Sequence, residues 1–161
     1  MSEILDELEE DTQKDKYLTF GLDEEEFGIE IEYVREIIGI QPISEIPEIP
    51  SFIRGIINLR GQIIPVIDIR ARFKKEVLDY NDRTCIIVVD IKDIAIGLIV
   101  DKVLEVLNIP EENLVPPPDY KTGIQNGYIK MIGKSGDGVK LIIDCEQLLG
   151  EAEIELIEDL D

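Results

Sequence analysis

Apolar residues in this chain come mostly in runs of five to seven, bounded by glycine, proline or charged turns. Isoleucine and valine dominate these runs, and β-branched side chains suit a pleated, half-buried surface. "YLTFGLDEEEFGIEI" reads as two such runs joined by an acidic turn, a β-hairpin. "IEYVREII" has a different spacing. Its apolar residues fall at Ile31, Val34, Ile37 and Ile38, which predicts about two turns of helix, with a short β-branched strand left as the alternative. Pro42, Pro47 and Pro50 then enforce extended chain. The remaining pattern predicts an all-β protein with short helices, its sheet edges removed by closure into small barrels.

The pattern occurs twice. "FGIEIEYVREIIGI" at 27–40 lies over "IGLIVDKVLEVLNI" at 96–109 with an offset of 69. Gly28 falls on Gly97, Val34 on Val103, Glu36 on Glu105, Ile37 on Val106, and Pro47 keeps the register with Pro116. Each copy is preceded by a β-rich run and ends in a similar strand, "IIPVIDIRARF" and "VKLIIDCEQLL", in which Asp68 matches Asp144. The copies predict two similar barrels connected by the polar stretch "KKEVLDYNDR" at 74–83.

Composition bounds the function. The 161 residues suit one domain or two small, closely packed ones, and 44% apolar content is enough for a core. The net charge is −20, and residues 1–16 and 151–161 carry −11 of it. The ends therefore read as acidic flexible tails, 1–15 and 151–161, on a body spanning 16–150. Such a charge argues against nucleic acid and anionic membrane surfaces, which need a basic footprint. No apolar run reaches the roughly 20 residues of a spanning helix, and the acidic start lacks a signal peptide's basic region, so a cytoplasmic protein is expected. Cys85 and Cys145, each within a strand-like segment, are expected to be buried inert thiols.

Candidate chemistry is sparse. The chain has no histidine, which removes the usual general base and the common triad, and no metal or cofactor site is expected. Asp68 and Asp144 recur at equivalent strand ends, which points to a structural role. "GYIKMIGKSGDG" at 127–138 imitates a phosphate loop, but five residues separate its glycines where four are required, and a strand rather than a helix comes after it. A hairpin loop accounts for it, and a small nucleotide-binding enzyme using this loop stays as the rival reading. Binding remains. In "RGIINLRGQIIPVIDIR" at 54–70, two strands flank a turn bearing Arg60, whose counterpart turn in the second copy has no arginine. Arginine's fixed donors and apolar stem suit a protein interface. Asn58 and Gly61, which tolerate positive φ, are expected to shape the turn.

The pattern G-I-x-I-x-x-V-x-E-I, with F-I-x-G-x-x-N-L-R-G-x-I-x-P-x-x-D-x-R further along, resembles the CheW family, and "YNDRTCIIVVDIKDIAIGLIVDKVLEVL" is similar to the family's second half. The resemblance covers residues 16–150. It implies two intertwined five-stranded barrels similar to SH3 domains, roughly 16–80 and 81–150 with possible strand exchange. It also implies no enzymatic activity, and a function as an adaptor coupling chemoreceptors to the histidine kinase CheA, or as a paralogous scaffold of another receptor–kinase array. The free protein would be a monomer in the cytoplasm, joining partners in rings at membrane receptor arrays. Val34, Glu36, Ile37 and Arg60 match family motif positions implied to bind the receptor's helical tip, with Val103 and Val106 on the far side of a groove. Helical spacing alone would instead place Val34 and Ile37 in the core.

Overall fold

The computed structural model describes residues 14–117, 127–136 and 138–159. Eleven strands occur among them: β1 Lys16–Leu22, β2 Glu25–Glu30, β3 Val34–Gly39, β4 Ile53–Leu59, β5 Gln62–Asp68, β6 Cys85–Ile91, β7 Ile94–Val100, β8 Lys102–Asn108, β9 Leu114–Val115, β10 Ile129–Ser135 and β11 Gly138–Ile143. Two α-helices, α1 Ile69–Arg72 and α2 Glu151–Asp159, join short 3-10 turns at Ile31–Tyr33, Glu111–Asn113 and Cys145–Gln147.

The strands form two sheets, ordered β8-β1-β2-β11-β10-β9 and β3-β6-β7-β5-β4. The division does not respect the two halves of the sequence. Each copy lends its first hairpin to the other's sheet: β1-β2 joins β8 to β11, and β6-β7 joins β3 to β5. The joints are equivalent parallel pairings, Ile142↔Gly28 and Val66↔Gly97. Space accounts for the matched glycines. A Cβ at Gly28 would lie 2.9 Å from Ile142 Cδ1, and one at Gly97 would lie 2.7 Å from Ile86 Cγ2 and 2.8 Å from Val66 Cγ1.

Neither strand order closes on itself, so the expected closed barrels are instead two open sheets. Both sheets do curl. The stretch after β3 returns to β4 through paired bonds of 2.9 Å between Ser44 and Ile56, and β9 returns to β10 in the same way at the equivalent place of the second copy.

The inner hairpins are buried on both faces with the two-residue alternation of a strand. Ile87, Val89, Leu98 and Val100 point into a large core shared with Phe20 and Phe27 from the other sheet and with Phe73 at the end of α1. Ile86, Val88, Ala95 and Ile99 point the other way, into a second cluster with Ile57 and Ile64. A third cluster of Tyr17, Ile109 and Ile142 fills the six-stranded sheet.

Three further expectations change. The predicted helix at 31–38 is one 3-10 turn and then β3, and its repeat counterpart is β8. Both strands carry one extra residue relative to their partners, between Val34 and Glu36 and between Val103 and Val106. The extra residue shifts the alternation, so the apolar spacing imitates a helix. The expected C-terminal tail contains α2, with Ile157 2% exposed and Ile154 packed on the shared core; residues 1–13 of the other expected tail lie outside the described residues. Cys145 is buried, but Cys85 is only half-buried. Asp68 and Asp144 sit at strand ends and cap the helical turns that begin there: Asp68 Oδ1 accepts from Arg70 N at 2.9 Å, and Asp144 Oδ1 from Glu146 N at 3.2 Å.

Candidate functional site

β4 and β5 are joined by the two-residue turn Arg60-Gly61, closed by the Leu59↔Gln62 pair. Both central residues have positive φ, 52° at Arg60 and 89° at Gly61, as the mirror-image turns of tight hairpins require. Asn58 Oδ1 accepts from Gly61 N at 2.8 Å, so asparagine braces the turn while arginine occupies the left-handed position itself. Arg60 stands out from the surface, its side chain 69% exposed.

The turn meets β3. Arg60 Nη2 donates to Glu36 Oε1. The neighbouring Arg35 donates from Nη1 to Gln62 Oε1 at 3.2 Å, and forms a forked pair with Asp90 through Nη2 at 2.5 Å and Nε at 3.3 Å. The bulge allows adjacent residues of β3 to reach residues 60 and 62 of the same turn. Side chains thus bridge the two ends of the five-stranded sheet. Arg35, Gln62 and Asp90 escape a sequence reading. Arg35 occupies an unspecified position of V-x-E-I, and nothing local pairs it with a residue 55 positions away.

β3 and β8 are edge strands of their sheets. Ile37 is 44% exposed and Val106 51%, whereas Val34 and Val103 are half-buried and pack on the same shared core. The apolar members therefore divide into an inner pair and an outer pair, one of each on either sheet. The bulge of β8 is held by Thr19, whose Oγ1 donates to Glu105 O at 2.6 Å and accepts from Glu105 N at 3.1 Å.

A cleft of about 210 Å³ lies elsewhere, lined by Asp23, Arg70, Tyr80, Arg83, Asp101 and Lys102 among others. Arg70 is 5% exposed. Its Nε donates to Asp101 Oδ1 at 2.7 Å, its Nη2 to Asp101 Oδ2 at 2.5 Å and to Asp23, and its Nη1 to Glu76 O at 3.2 Å. Burial pushes the Asp101 carboxyl up, but hydrogen bonds from Arg70 and from Asp23 N outweigh it and hold the group below its ordinary value. Tyr80 donates to Asp68 Oδ2 at 2.8 Å, and burial with that carboxylate pushes the phenol well above its ordinary value. The candidate phosphate loop falls on the β10-β11 hairpin, where Ser135 pairs with Gly138, and among the described residues a strand rather than a helix comes after it.

Residues 16–153 match the family model described as CheW-like domain. The chain belongs to the CheW family. Its relatives include the chemotaxis protein CheW of Klebsiella aerogenes, 33% identical over 150 residues, covering 93% of this chain and 90% of the relative. The chemotaxis protein CheW of Treponema pallidum is 31% identical over 147 residues, covering 89% and 86%. Among solved structures, the scaffolding protein TtCheW from Thermoanaerobacter tengcongensis superposes with a TM-score of 0.80 at 40% identity, covering 86% of this chain and 94% of that one. The CheW-like region includes both edge strands, the Arg60 turn and the Arg70 cluster. Among the described residues no helix is long and apolar enough to cross a membrane.

Proposed function

We propose that this chain is a chemotaxis coupling scaffold that joins chemoreceptors to the histidine kinase CheA and carries out no chemistry of its own. The observation that carries the reading is near full-length similarity, at 40% identity, to a structure described as a scaffolding protein. The receptor's helical tip lies across β3 and β8. Ile37 and Val106 supply exposed apolar contact, Val34 and Val103 form the floor, and Glu36 with Arg60 provides the polar rim. This division matches the anatomy of a protein interface, an apolar centre with charges at its edge. The kinase's own CheW-like domain is the second partner. The protein works in the cytoplasm, recruited to receptor arrays at the membrane.

The test is reconstitution of this chain with the kinase and a receptor cytoplasmic fragment. Phosphorylation of the kinase should come under receptor control only when the chain is present. A chain that binds neither partner, or a kinase equally controlled without it, would overturn the reading.

A further inference from the structure

Asp101 is the one residue between β7 and β8, where the chain passes from the five-stranded sheet to the six-stranded one. Arg70 grips it with two nitrogens. Asp101 Oδ2 also accepts from Asp23 N at 3.0 Å, and the Asp23 carboxylate is itself paired with Arg70. Asp23 lies in the turn after β1, which is the partner strand of β8. One buried guanidinium therefore ties the start of β8 and the end of β1 to α1.

Helix α1 directly continues β5, and β5 begins at the Arg60 turn. Arg60 and Arg70 thus stand at opposite ends of one strand. One meets Glu36 of β3, and the other holds the residue that leads into Val103 and Val106. The crossing of the first copy has no such grip: Glu32 stands at the place of Asp101, and Glu146 at the place of Arg70. Two acids cannot form that pair.

We propose that Arg70 is a positioning residue, holding the β8 side of the receptor-binding surface in register with the β3 side. The proposal rests on the receptor-scaffold reading. Arg70 touches no partner; its fork sets the placement of Asp101, and Asp101 sets where β8 departs. A lysine keeps the charge but cannot hold both oxygens of Asp101 and the Asp23 carboxylate together.

The test combines a distance with an affinity. Spin labels at Gly39→Cys and Asn108→Cys, in a Cys85→Ser background, place one probe on each edge strand at exposed positions. One narrow distance is expected with Arg70 intact, and broadened or displaced distributions in Arg70→Lys and Asp101→Asn. Asp23→Asn, which removes only the more exposed arm, should fold readily and broaden the distribution less. Unlabelled Arg70→Lys should bind the receptor cytoplasmic fragment about tenfold more weakly, as when the competent arrangement falls to about a tenth of the population. Ile157→Ala, destabilised away from the crossing, should keep both the distance and the affinity of the folded protein. Unchanged distances in the Arg70 and Asp101 variants would overturn the proposal, as would unchanged affinity despite a broadened distance. An unaltered chain with one narrow distance and no receptor binding would instead sink the functional reading, leaving the grip of Arg70 on the crossing intact.

Discussion

Glu36 and Arg60 lie at opposite ends of the strand order of one sheet, yet Arg60 Nη2 donates directly to Glu36 Oε1. The pair joins edge strand β3 to the β4-β5 turn where no backbone ladder does. It is too exposed to contribute much stability, about 0.2–1 kcal/mol as an upper range for such pairs. In the proposed receptor surface its placement at the rim matters more than its energy.

Arg60 occupies a position that favours asparagine or glycine, with φ 52°. A left-handed conformation costs an ordinary L-residue about 1–2 kcal/mol, and asparagine less. Relief of that cost exceeds the loss of a mostly solvated ion pair. Arg60→Asn is therefore expected to stabilise the protein by about 0.5 kcal/mol, measured by urea denaturation, while weakening receptor binding measured by calorimetry. A stabilised variant with unchanged affinity would show that the arginine makes no receptor contact.

Gly55 offers a harsher test of the curl in the five-stranded sheet. Its φ is +146°, and a Cβ there would lie 2.1 Å from Ser44 O, in the backbone bridge that brings the post-β3 segment onto β4. Backbone cannot yield as a flexible side chain can. Gly55→Ala is expected to cost about 3 kcal/mol through strain and loss of the bridge, read from the denaturation midpoint. Gly39→Ala, with nothing within 4 Å and ordinary φ, should change stability by less than about 0.5 kcal/mol.

The contrast between these two glycines also shows what the sequence can carry. The hairpins β1-β2 and β4-β5 are legible because alternation and turn residues are local signals. The repeat is legible because Gly28 and Gly97 meet the same steric demand at equivalent joints. The strand identity of β3 and β8 is obscured by their bulges, which imitate helical spacing. Arg35–Asp90 and Arg70–Asp101 depend on curling and crossing, which bring together residues 55 and 31 positions apart. Arg60 stands out in its turn, but its left-handed backbone is a property of the folded hairpin.

Helix α2 makes the C-terminal segment part of the fold. Ile157 is 2% exposed in the shared core, and Arg72, whose guanidinium stacks over Phe52 at 4.2 Å and Tyr128 at 4.9 Å, also reaches Glu153 at 3.7 Å. Ile157→Ala is expected to destabilise the protein by about 2–5 kcal/mol, the range for large-to-small changes in a core. Glu158→Ala on the exposed face should cost less than about 0.5 kcal/mol. Equal, negligible effects in thermal melts would mean that the helix is not docked in solution.

Cys145 links the core to pH. Burial pushes its thiol from the ordinary 9.0 up to about 12, with the nearby Glu30 carboxylate adding to the rise. A raised thiol pKa favours the protonated form in the folded state. Below pH 9 both folded and unfolded chains hold the proton, and the contribution to stability is fully present. Between pH 9 and about 12 the unfolded chain has released its proton while the folded chain has not, so stability falls with a slope approaching about 1.4 kcal/mol per pH unit from this group. Lysines and tyrosines titrate in the same range, so the measurement is the difference between the parent and Cys145→Ala. The alanine variant should be less stable near neutral pH and should lose stability less steeply above pH 9. The same burial predicts that in the native protein a thiol reagent modifies the half-buried Cys85 first, and that Cys145 reacts only as denaturant unfolds the chain. Prompt native-state labelling of both cysteines would contradict the placement of Cys145 in the core.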